Sequence, residues 1–363
     1  MESQKVRVGI THGDINGVGY EVIIKTLSDT RILELCTPVI YGSSKVLAYH
    51  RKIMDLDPIN VSIINQAKDA GHNRVNIINC VSEETKVDIS QSTQEAGVAS
   101  FKALEAAVTD LQSGDIDVLL TAPINKDNIQ NDNFAFPGHT EYLEQTCGKG
   151  KNALMILLNE TVRVALVTGH VPLSAVSPNL TQEGIVEKLR AFSHSLKQDF
   201  KIIRPRIAVL SLNPHAGENG LLGSEEKDII IPALAEADKK GILCFGPFAA
   251  DGFFGSKNYE NYDGILAMYH DQGLIPFKTL AMENGINYTA GLPIIRTSPA
   301  HGTAYDIAGK NQASEVSFRN ALYLSIDIFR NRKFMEASQA NPLRKQYFEK
   351  GSDNEKLDLT SDE

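Results

Sequence analysis

Short apolar segments of strand length alternate with helix-like segments along most of this 363-residue chain. The first strand is predicted at residues 6–10, and residues 92–113 carry apolar side chains at the three- and four-residue spacing of a helix. We predict that Ser92 caps this helix, that Glu95 completes a capping box and that Gly114 ends the helix. The alternation favours an α/β fold with a largely parallel sheet.

The number of domains is estimated from the length of the chain, because the sequence contains no clear domain boundary. The chain is long enough for about two domains, and no repeat or low-complexity linker divides it. We expect a discontinuous first α/β domain, residues 1–130 plus 285–350, with a second α/β domain, residues 131–284, inserted between its parts. Residues 351–363 are rich in Asp, Glu, Ser and Lys, so we predict a disordered tail without a catalytic role.

Charge and composition exclude several classes of protein. The formal net charge of −9 argues against a nucleic-acid partner and against binding to an anionic membrane surface. No apolar segment approaches the roughly 20 residues needed to span a bilayer, and the first residues lack the pattern of a signal peptide. The four cysteines are far apart and form no Cys-x-x-Cys pair. These features predict a soluble protein of the reducing cytoplasm.

Three histidines, His170, His215 and His270, each follow an apolar segment with the length and composition of a buried strand. These segments are residues 162–167, 207–212 and 265–268. Because strand ends of an α/β sheet bring distant side chains together, the three imidazoles could share one divalent metal. For each histidine alone, a hydrogen-bonded loop residue is the simpler interpretation, and the repeated context is what favours a metal site.

A glycine-bearing turn at residues 13–19 separates the first strand from a predicted helix at residues 20–27. Its spacing, G-x-x-x-G-x-G, matches neither the dinucleotide fingerprint G-x-G-x-x-G nor the P-loop with its Lys-Ser/Thr ending. A tight strand-to-helix connection is the first interpretation and the wall of a ligand cleft is the second. Asp14 in this turn either serves a site or caps the helix.

Other polar segments that follow predicted strands carry side chains suited to a binding site. His139 and Thr140 could donate hydrogen bonds to an anionic group, and Arg296 could bind a carboxylate or phosphate. Asp251 could be a metal ligand, an acid or base, or a helix cap. Lys278 could transfer a proton, hold a phosphate or be an ordinary solvated lysine. Each of these segments alone is better explained as a polar loop. Because several predicted strands end in such segments, together they favour a ligand-binding site.

Six sequence strings in consistent order resemble the 4-hydroxythreonine-4-phosphate dehydrogenases of vitamin B6 synthesis. They are TAPINK, GHTEYL, TGHVPL, LNPHAGENGLLGSEE, LAMYHDQGLIPFK and GLPIIRTSPAHGTAYDIAGK, which lie between residues 121 and 310. HGTAYDIAGK is also similar to the nucleotide-binding loop of the isocitrate and isopropylmalate dehydrogenases, whose fold this family shares. The resemblance implies two α/β/α domains with an active-site cleft between them, and a nicotinamide enzyme without the Rossmann fingerprint.

The resemblance also implies roles for individual side chains. Asp251, matching an acidic residue beside the metal, and Lys278, a candidate for proton transfer, are the expected catalytic residues. The implied metal ligands are His170, His215 and His270. The implied substrate-binding residues are His139, Thr140, Lys278, Asn287 and Arg296. The implied nicotinamide-binding residues are His301, Gly302, Thr303, Ala304 and Asp306.

The family oxidises the C3 hydroxyl of 4-phosphooxy-L-threonine with NAD or NADP. The product, 2-amino-3-oxo-4-phosphooxybutanoate, loses carbon dioxide to give 3-amino-2-oxopropyl phosphate. The resemblance implies one divalent metal per site, Zn²⁺, Mg²⁺ or Co²⁺, and histidine ligands favour zinc or cobalt. It further implies a homodimer in which both subunits contribute to each site.

One departure from the family pattern bears on the expected substrate. The first glycine turn is GDINGVGYE in this chain, where the family has GDPAGIGPE, so two prolines are missing. A dehydrogenase of 4-phospho-erythronate or 4-phospho-threonate, substrates that lack the amino group, is therefore the alternative. A metal-dependent hydrolase and a non-catalytic binding protein are more remote alternatives, because three histidines alone are compatible with each.

Overall fold

A single twelve-stranded sheet runs through residues 5–340, the part of the chain that the computed structural model describes. The strands are β1 Val6–Thr11, β2 Cys36–Gly42, β3 Val61–Ile64, β4 Val75–Asn79, β5 Val118–Thr121, β6 Leu154–Leu158, β7 Arg163–Leu166, β8 Ile207–Leu210, β9 Cys244–Phe248, β10 Gly264–Ala267, β11 Ile286–Ala290 and β12 Arg296–Pro299. Their order in the sheet is β3-β4-β2-β1-β5-β12-β11-β6-β7-β10-β8-β9. The α/β fold expected from the sequence is confirmed.

Helices connect most of these strands. The α-helices of the described residues are α1 Gly19–Leu27, α2 Ile32–Leu35, α3 Ser44–Ile53, α4 Gln94–Ser113, α5 His139–Cys147, α6 Val176–Asn179, α7 Gln182–Gln198, α8 Ile231–Lys239, α9 Ala250–Gly255, α10 His270–Ala281 and α11 Val316–Ala340. Shorter helical turns lie at Ala67–Asp69, Leu173–Ala175, Pro214–Gly220, Glu226–Ile230 and Asn258–Asn261. None of the helices within residues 5–340 is both long enough and apolar enough to cross a membrane.

The sheet contains two parallel sets of strands. One set is β3, β4, β2, β1, β5 and β12, and the other is β7, β10, β8 and β9. Between them, β11 and β6 are antiparallel to both of their neighbours. The domain limits predicted from the sequence, at residues 130 and 285, remain a prediction, and the predicted tail at 351–363 lies outside the described residues.

Helices pack against both faces of the sheet. They form one continuous core on one face and two separate cores on the other. On one face, α1, α7, α8 and α11 contribute to a continuous apolar core. On the other face, α4 and α5 build one core, and α9 and α10 build a second core. Side chains alternate along a strand, so Ile156 and Tyr288 enter the continuous core while Met155 and Asn287 line a cavity on the opposite face.

Helix boundaries follow local hydrogen bonding, and one prediction about them is wrong. Thr93, not Ser92, caps α4, because the Thr93 hydroxyl accepts a hydrogen bond from the amide of Ala96. Ser92 instead accepts a hydrogen bond from the Asn125 side chain. The Glu95 carboxylate accepts from the amide of Lys86, so the capping box is absent. The predicted end of this helix is confirmed, since Gly114 has a left-handed φ of 82°.

Candidate active site

The three strand-end histidines follow strands that are neighbours in the sheet. β7, β10 and β8 are adjacent and parallel, so the segments that follow them start at the same edge. We call the segments around His170, His215 and His270 the histidine edge. The rings of His170 and His270 have centroids 5.7 Å apart, and both line a cavity of about 270 Å³. His215 does not line this cavity, and residues 5–340 of one chain contain no group of three or more potential metal ligands.

The Nδ1 atoms of the two clustered histidines face carboxylates. His270 Nδ1 lies 2.7 Å from Asp271 Oδ1, and His170 Nδ1 lies 3.8 Å from Glu141 Oε1. The interaction with His170 lowers the pKa of the Glu141 carboxyl below its usual range. The 2.7 Å contact fixes the proton of His270 on Nδ1 and leaves Nε2 with a lone pair for a metal, whereas the 3.8 Å separation at His170 is too long for a hydrogen bond. The pair therefore has the donor chemistry of a metal site.

The segment that carries His215 has an unusual backbone. Residues His215 to Asn219 all have positive φ, between 44° and 76°, which L-residues rarely adopt over several consecutive positions. The base of the segment is fixed, because the Glu226 carboxylate accepts hydrogen bonds from the amides of Leu212 and Asn213 at 2.8 Å each. The His215 side chain is exposed. Strain held by a fixed base is typical of functional loops.

Arg296 is a buried cation without a carboxylate partner among the described residues. Its Nε and Nη2 atoms donate to Thr121 Oγ1 at 3.1 and 2.7 Å, and Nη1 donates to Thr289 Oγ1 at 3.3 Å. Burial lowers the pKa of the guanidinium to about 10, so it remains charged at neutral pH. A buried charge that has only neutral partners is costly, and an anionic ligand would compensate it.

The contact between Arg296 and His139 fixes the tautomer of the histidine. Arg296 Nη2 lies 3.2 Å from His139 Nδ1. Because a guanidinium can only donate, Nδ1 accepts and Nε2 carries the proton. Burial, then the charges of Arg296 and Lys126, hold the pKa of His139 well below its usual range, so the ring is neutral. His139 Nε2 is buried without a hydrogen-bond partner in the described structure, as is Asn287 Oδ1.

The charge of the cavity has one sign. Three cationic side chains, Lys126, Lys278 and Arg296, line it, and none of its lining residues is Asp or Glu. A larger cleft of about 810 Å³ lies elsewhere, beside α7, and it mixes acidic with basic side chains. In that cleft Arg332 pairs with Asp199 at 2.7 Å. The smaller cavity is therefore the better candidate for binding an anion.

Comparison with known proteins identifies the family of this chain. Residues 34–325 match the model of the family described as "Pyridoxal phosphate biosynthetic protein PdxA". The chain belongs to the PdxA family. A relative from Bacteroides thetaiotaomicron, named 4-hydroxythreonine-4-phosphate dehydrogenase, is 62% identical over 359 residues, which cover 99% of this chain and 98% of the relative. The family predicted from the sequence strings is confirmed.

Two further relatives carry different enzyme names. The crystal structure of 4-hydroxythreonine-4-phosphate dehydrogenase from Klebsiella pneumoniae superposes with a TM-score of 0.78 at 33% identity, covering 91% of this chain and 99% of that one. A relative from Oceanobacillus iheyensis is 38% identical over 332 residues, 90% of this chain and 98% of the relative. Its name proposes a different activity, that of a D-threonate 4-phosphate dehydrogenase.

In this PdxA-family chain, most of the predicted substrate-binding residues come together. His139, Lys278, Asn287 and Arg296 line the cavity. Thr140 stands one position further along α5 and does not line it. The four residues belong to α5, α10, β11 and β12, so only the fold brings them together.

Two of the five predicted nicotinamide-binding residues line the cavity. His301 and Gly302 line it, whereas Thr303, Ala304 and Asp306 follow outside its lining. Burial lowers the pKa of His301, and its Nε2 atom is buried without a partner in the described structure.

Two acidic residues differ in how the structure places them relative to the predicted metal ligands. Asp251 is exposed in the first turn of α9, outside the cavity lining. Glu141, which faces His170, was missed. It lies within the string GHTEYL, but its neighbour His170 follows a different strand, and no local spacing connects the two.

Proposed function

We propose that this protein is a metal-dependent, nicotinamide-linked dehydrogenase that oxidises 4-phosphooxy-L-threonine at C3, with subsequent loss of carbon dioxide. The observation that carries the proposal is a cavity with three cationic side chains, no carboxylate and two adjacent histidines. The substrate carries a phosphate and a carboxylate, which match the charge of that cavity. The names of the relatives support the same reaction.

Arg296, Lys278 and the protonated Nε2 of His139 are the proposed donors to the anionic groups of the substrate. Four of the five N–H groups of Arg296 already donate to Thr121, Thr289 and His139, which leaves one N–H of Nη1 to donate to an oxyanion. Arg296 is held by Thr121 and Thr289, so its orientation is fixed before the ligand arrives. Thr140 and Asn287 complete the proposed substrate set. Preorganised donors of this kind lose little conformational entropy on binding.

The proposed metal ligands are the Nε2 atoms of His170 and His270, with His215 as the third. A bound divalent cation would act as a Lewis acid toward the substrate oxygen, and imidazole donors favour Zn²⁺ or Co²⁺ over Mg²⁺. Asp251 is proposed to lie beside this centre. Lys278 lines the same cavity, where its Nζ atom can hold the proton that leaves the substrate hydroxyl.

The proposed site for NAD or NADP is formed by His301, Gly302, Thr303, Ala304 and Asp306. The nicotinamide would accept hydride, and the protein only positions its ring against the substrate. The presence of His301 and Gly302 in the cavity lining supports this arrangement, because a nucleotide bound there would lie next to the substrate.

We propose that His215 reaches the metal of a second copy of the chain in a homodimer. In one chain, His170 and His270 meet at the cavity while His215 is exposed on its strained segment. Leu221, on the same segment, is also exposed, as are Leu173 and Ile275 on the segments that follow the other two histidines. Exposed apolar side chains around an incomplete polar site are typical of a subunit interface.

Mixing inactive subunits tests the shared site. His170→Ala and His215→Ala proteins would each be inactive alone. If His215 acts across the interface, a mixed dimer has one intact site, so mixing equal amounts with subunit exchange should restore about one quarter of the wild-type activity. Absence of any recovery, in dimers shown by native mass spectrometry to have exchanged, would contradict the proposed arrangement.

The substrate is tested by measuring NADH and carbon dioxide together for three compounds. Metal-loaded protein should reduce NAD or NADP with 4-phosphooxy-L-threonine, and chelation should abolish the reaction. A preference for 4-phospho-threonate or 4-phospho-erythronate would support the second candidate function, which the relative from Oceanobacillus iheyensis favours. Release of phosphate without nicotinamide reduction would indicate a hydrolase and contradict the proposal.

A further inference from the structure

The glycine turn after β1, residues 12–18, is buried throughout and does not line the cavity. It packs between two loops that do line it. The amide of Asp14 donates to the carbonyl of Pro123 at 2.8 Å, and the amide of Val18 donates to the carbonyl of Thr303 at 3.0 Å. A Cβ atom at Gly17 would lie only 2.7 Å from that Thr303 oxygen. The turn therefore contacts the loop after β5 and the predicted nicotinamide loop at close range.

The carboxylate of Asp14 is the hydrogen-bonding centre of this contact. Asp14 is fully buried, and its Oδ1 accepts from the amide of Asn16 at 2.8 Å. Its Oδ2 accepts from Asn128 Nδ2 at 2.8 Å and from the Tyr305 hydroxyl at 2.7 Å. All three donors are neutral, and within residues 5–340 Asp14 forms no ion pair. A buried carboxylate in this setting is tolerated only if its donors are held in place.

Tyr305 is suited to this role because its hydroxyl is fixed on both sides. It accepts a hydrogen bond from Asn125 Nδ2 at 3.1 Å, and it donates to Asp14. Burial, followed by the hydrogen bond to Asp14, raises the pKa of Tyr305 to about 12, so the hydroxyl stays protonated. Residues 12–18, 122–128 and 301–306 thus form one hydrogen-bonded unit, which we call the glycine-turn cluster.

Asp14 does not cap the helix that follows. α1 begins after Val18, and no side chain caps its first turn. Of the two roles that the sequence allowed for Asp14, the capping role is wrong. The carboxylate instead bonds to Tyr305, 291 positions away in the chain.

We propose that Asp14 is a positioning residue for the nicotinamide nucleotide: through Tyr305 it holds residues 301–306 in the conformation that receives the cofactor. The inference rests on the proposed function, which assigns the cofactor to these residues. It also gives the G-x-x-x-G-x-G turn a role that does not involve contact with a phosphate. Its glycines allow the turn to approach Pro123 and Thr303 closely, and its carboxylate orients the loop.

The test uses full-length, metal-loaded protein with Tyr305→Phe and Asp14→Asn substitutions. Tyr305→Phe removes one hydroxyl, and Asp14→Asn replaces one of the two acceptor oxygens by an NH2 group that must face at least one of the three donors. We expect the Kd for NADH, measured by fluorescence titration, to rise roughly tenfold in Tyr305→Phe and further in Asp14→Asn. The KM for NAD should rise in parallel while kcat and the KM for 4-phosphooxy-threonine change by less than about threefold. Bound metal should be unchanged.

Hydrogen exchange in the absence of ligands gives a second measurement. Amides of residues 301–306 should exchange faster in both variants than in the wild type, because the loop loses its anchor. The double variant should weaken NADH binding by less than the product of the two single effects, since the two side chains act through one hydrogen bond. Tyr323→Phe is the matched control, because the Tyr323 hydroxyl makes no hydrogen bond within the described residues and lies on α11.

The outcomes separate the two proposals. If Tyr305→Phe and Asp14→Asn bind NADH as tightly as the wild type and as Tyr323→Phe, the positioning role of Asp14 is wrong and the proposed function is unaffected. If the wild type itself binds neither NADH nor NADPH, both proposals fail. If Asp14→Asn does not fold, Tyr305→Phe alone decides the question.

Discussion

The glycine-turn cluster and the histidine edge border the same cavity but differ in how their polar atoms are satisfied. In the cluster, the Asp14 carboxylate accepts three hydrogen bonds from its own chain. At the edge, His170 and His270 each have one nitrogen facing a carboxylate, and His215 is exposed on a strained segment. The Asp14 carboxylate is thus satisfied within a single chain, whereas His301 Nε2 in the same cluster is buried without a partner in the described structure. At the histidine edge, the three side chains that we propose as metal ligands do not all meet within the described residues of one chain.

The largest expected effect is at the histidine edge. His170→Ala should reduce turnover by roughly 1,000-fold or more, in the range that loss of an essential catalytic group produces. Bound metal, measured by atomic emission, should fall with it. The thermal midpoint should shift by no more than a few degrees, because the His170 side chain is about half exposed.

The control for this substitution is His194→Ala. His194 is an exposed histidine on α7 that lines the larger, distant cleft. It should retain metal and activity. Retention of full metal stoichiometry in His170→Ala would contradict the proposed ligand set.

A pH dependence of stability is expected on the cluster side. His50 packs under the glycine turn, where its Nε2 atom lies 2.7 Å from the carbonyl of Ile15. Burial lowers the pKa of His50 to about 4, compared with 6.5 for a free histidine. The unfolded chain therefore binds a proton first as pH falls. The contribution of His50 to stability is constant above pH 6.5, declines between pH 6.5 and 4, and stays at its low value below that, a loss of about 3 kcal/mol.

Comparison with His50→Gln isolates this contribution from that of the carboxylates. The free energy of unfolding should be measured by denaturant titration from pH 7.5 to 4. The advantage of the wild type over the variant should shrink as pH falls. A difference that does not vary with pH would show that His50 is not held neutral in the folded protein.

Next in size is the effect of adding one methyl group to the glycine turn. Gly17→Ala should destabilise the protein by about 2 kcal/mol, because the new Cβ meets backbone that must shift, namely the Thr303 oxygen at 2.7 Å. At the histidine edge, Gly169→Ala has no atom within 4 Å of the new Cβ and should leave stability within about 0.5 kcal/mol. If both substitutions shifted the denaturation midpoint equally, the glycine turn would not be more tightly packed than the histidine edge.

The smallest effect concerns the orientation of a metal ligand. Glu141→Gln removes the charge that faces His170 Nδ1. Metal affinity, measured by competition with a chelator, should fall about tenfold, as is usual when a group supporting a metal ligand is changed. Glu160→Gln, an exposed residue between β6 and β7, is the control. Unchanged affinity in Glu141→Gln would exclude Glu141 from the metal centre.

The sequence predicted those features that local patterns determine. The β7, β8 and β10 strands and the histidines after them follow from short apolar segments with polar ends. Ser92 was one residue early as a cap because Thr93 is an equally good capping residue, and hydrogen bonding to Asn125 decided between them.

Other features depend on contacts that no local pattern records. Asp14 and Tyr305 are 291 positions apart, and Glu141 faces His170 only because the fold brings α5 close to the segment that follows β7. The positive φ angles of residues 215–219 could not be predicted from the sequence either, because only one of the five residues, Gly217, is a glycine. If His215 does act on a second subunit, its partner atoms are not in this chain's fold at all.

The position of β12 has a consequence for how the protein is made. Arg296 on β12 reaches Thr121 at the end of β5, 175 positions earlier, and β11 then links β12 to β6. A ribosome must therefore release almost the whole chain before the two parallel sets of strands can join. Until that moment the edges of β5 and β6 lack their final neighbours, and unpaired edges promote aggregation. Chains that terminate before residue 286 should accordingly aggregate, and they would contain His139 and Lys278 but lack Asn287 and Arg296 of the proposed substrate site.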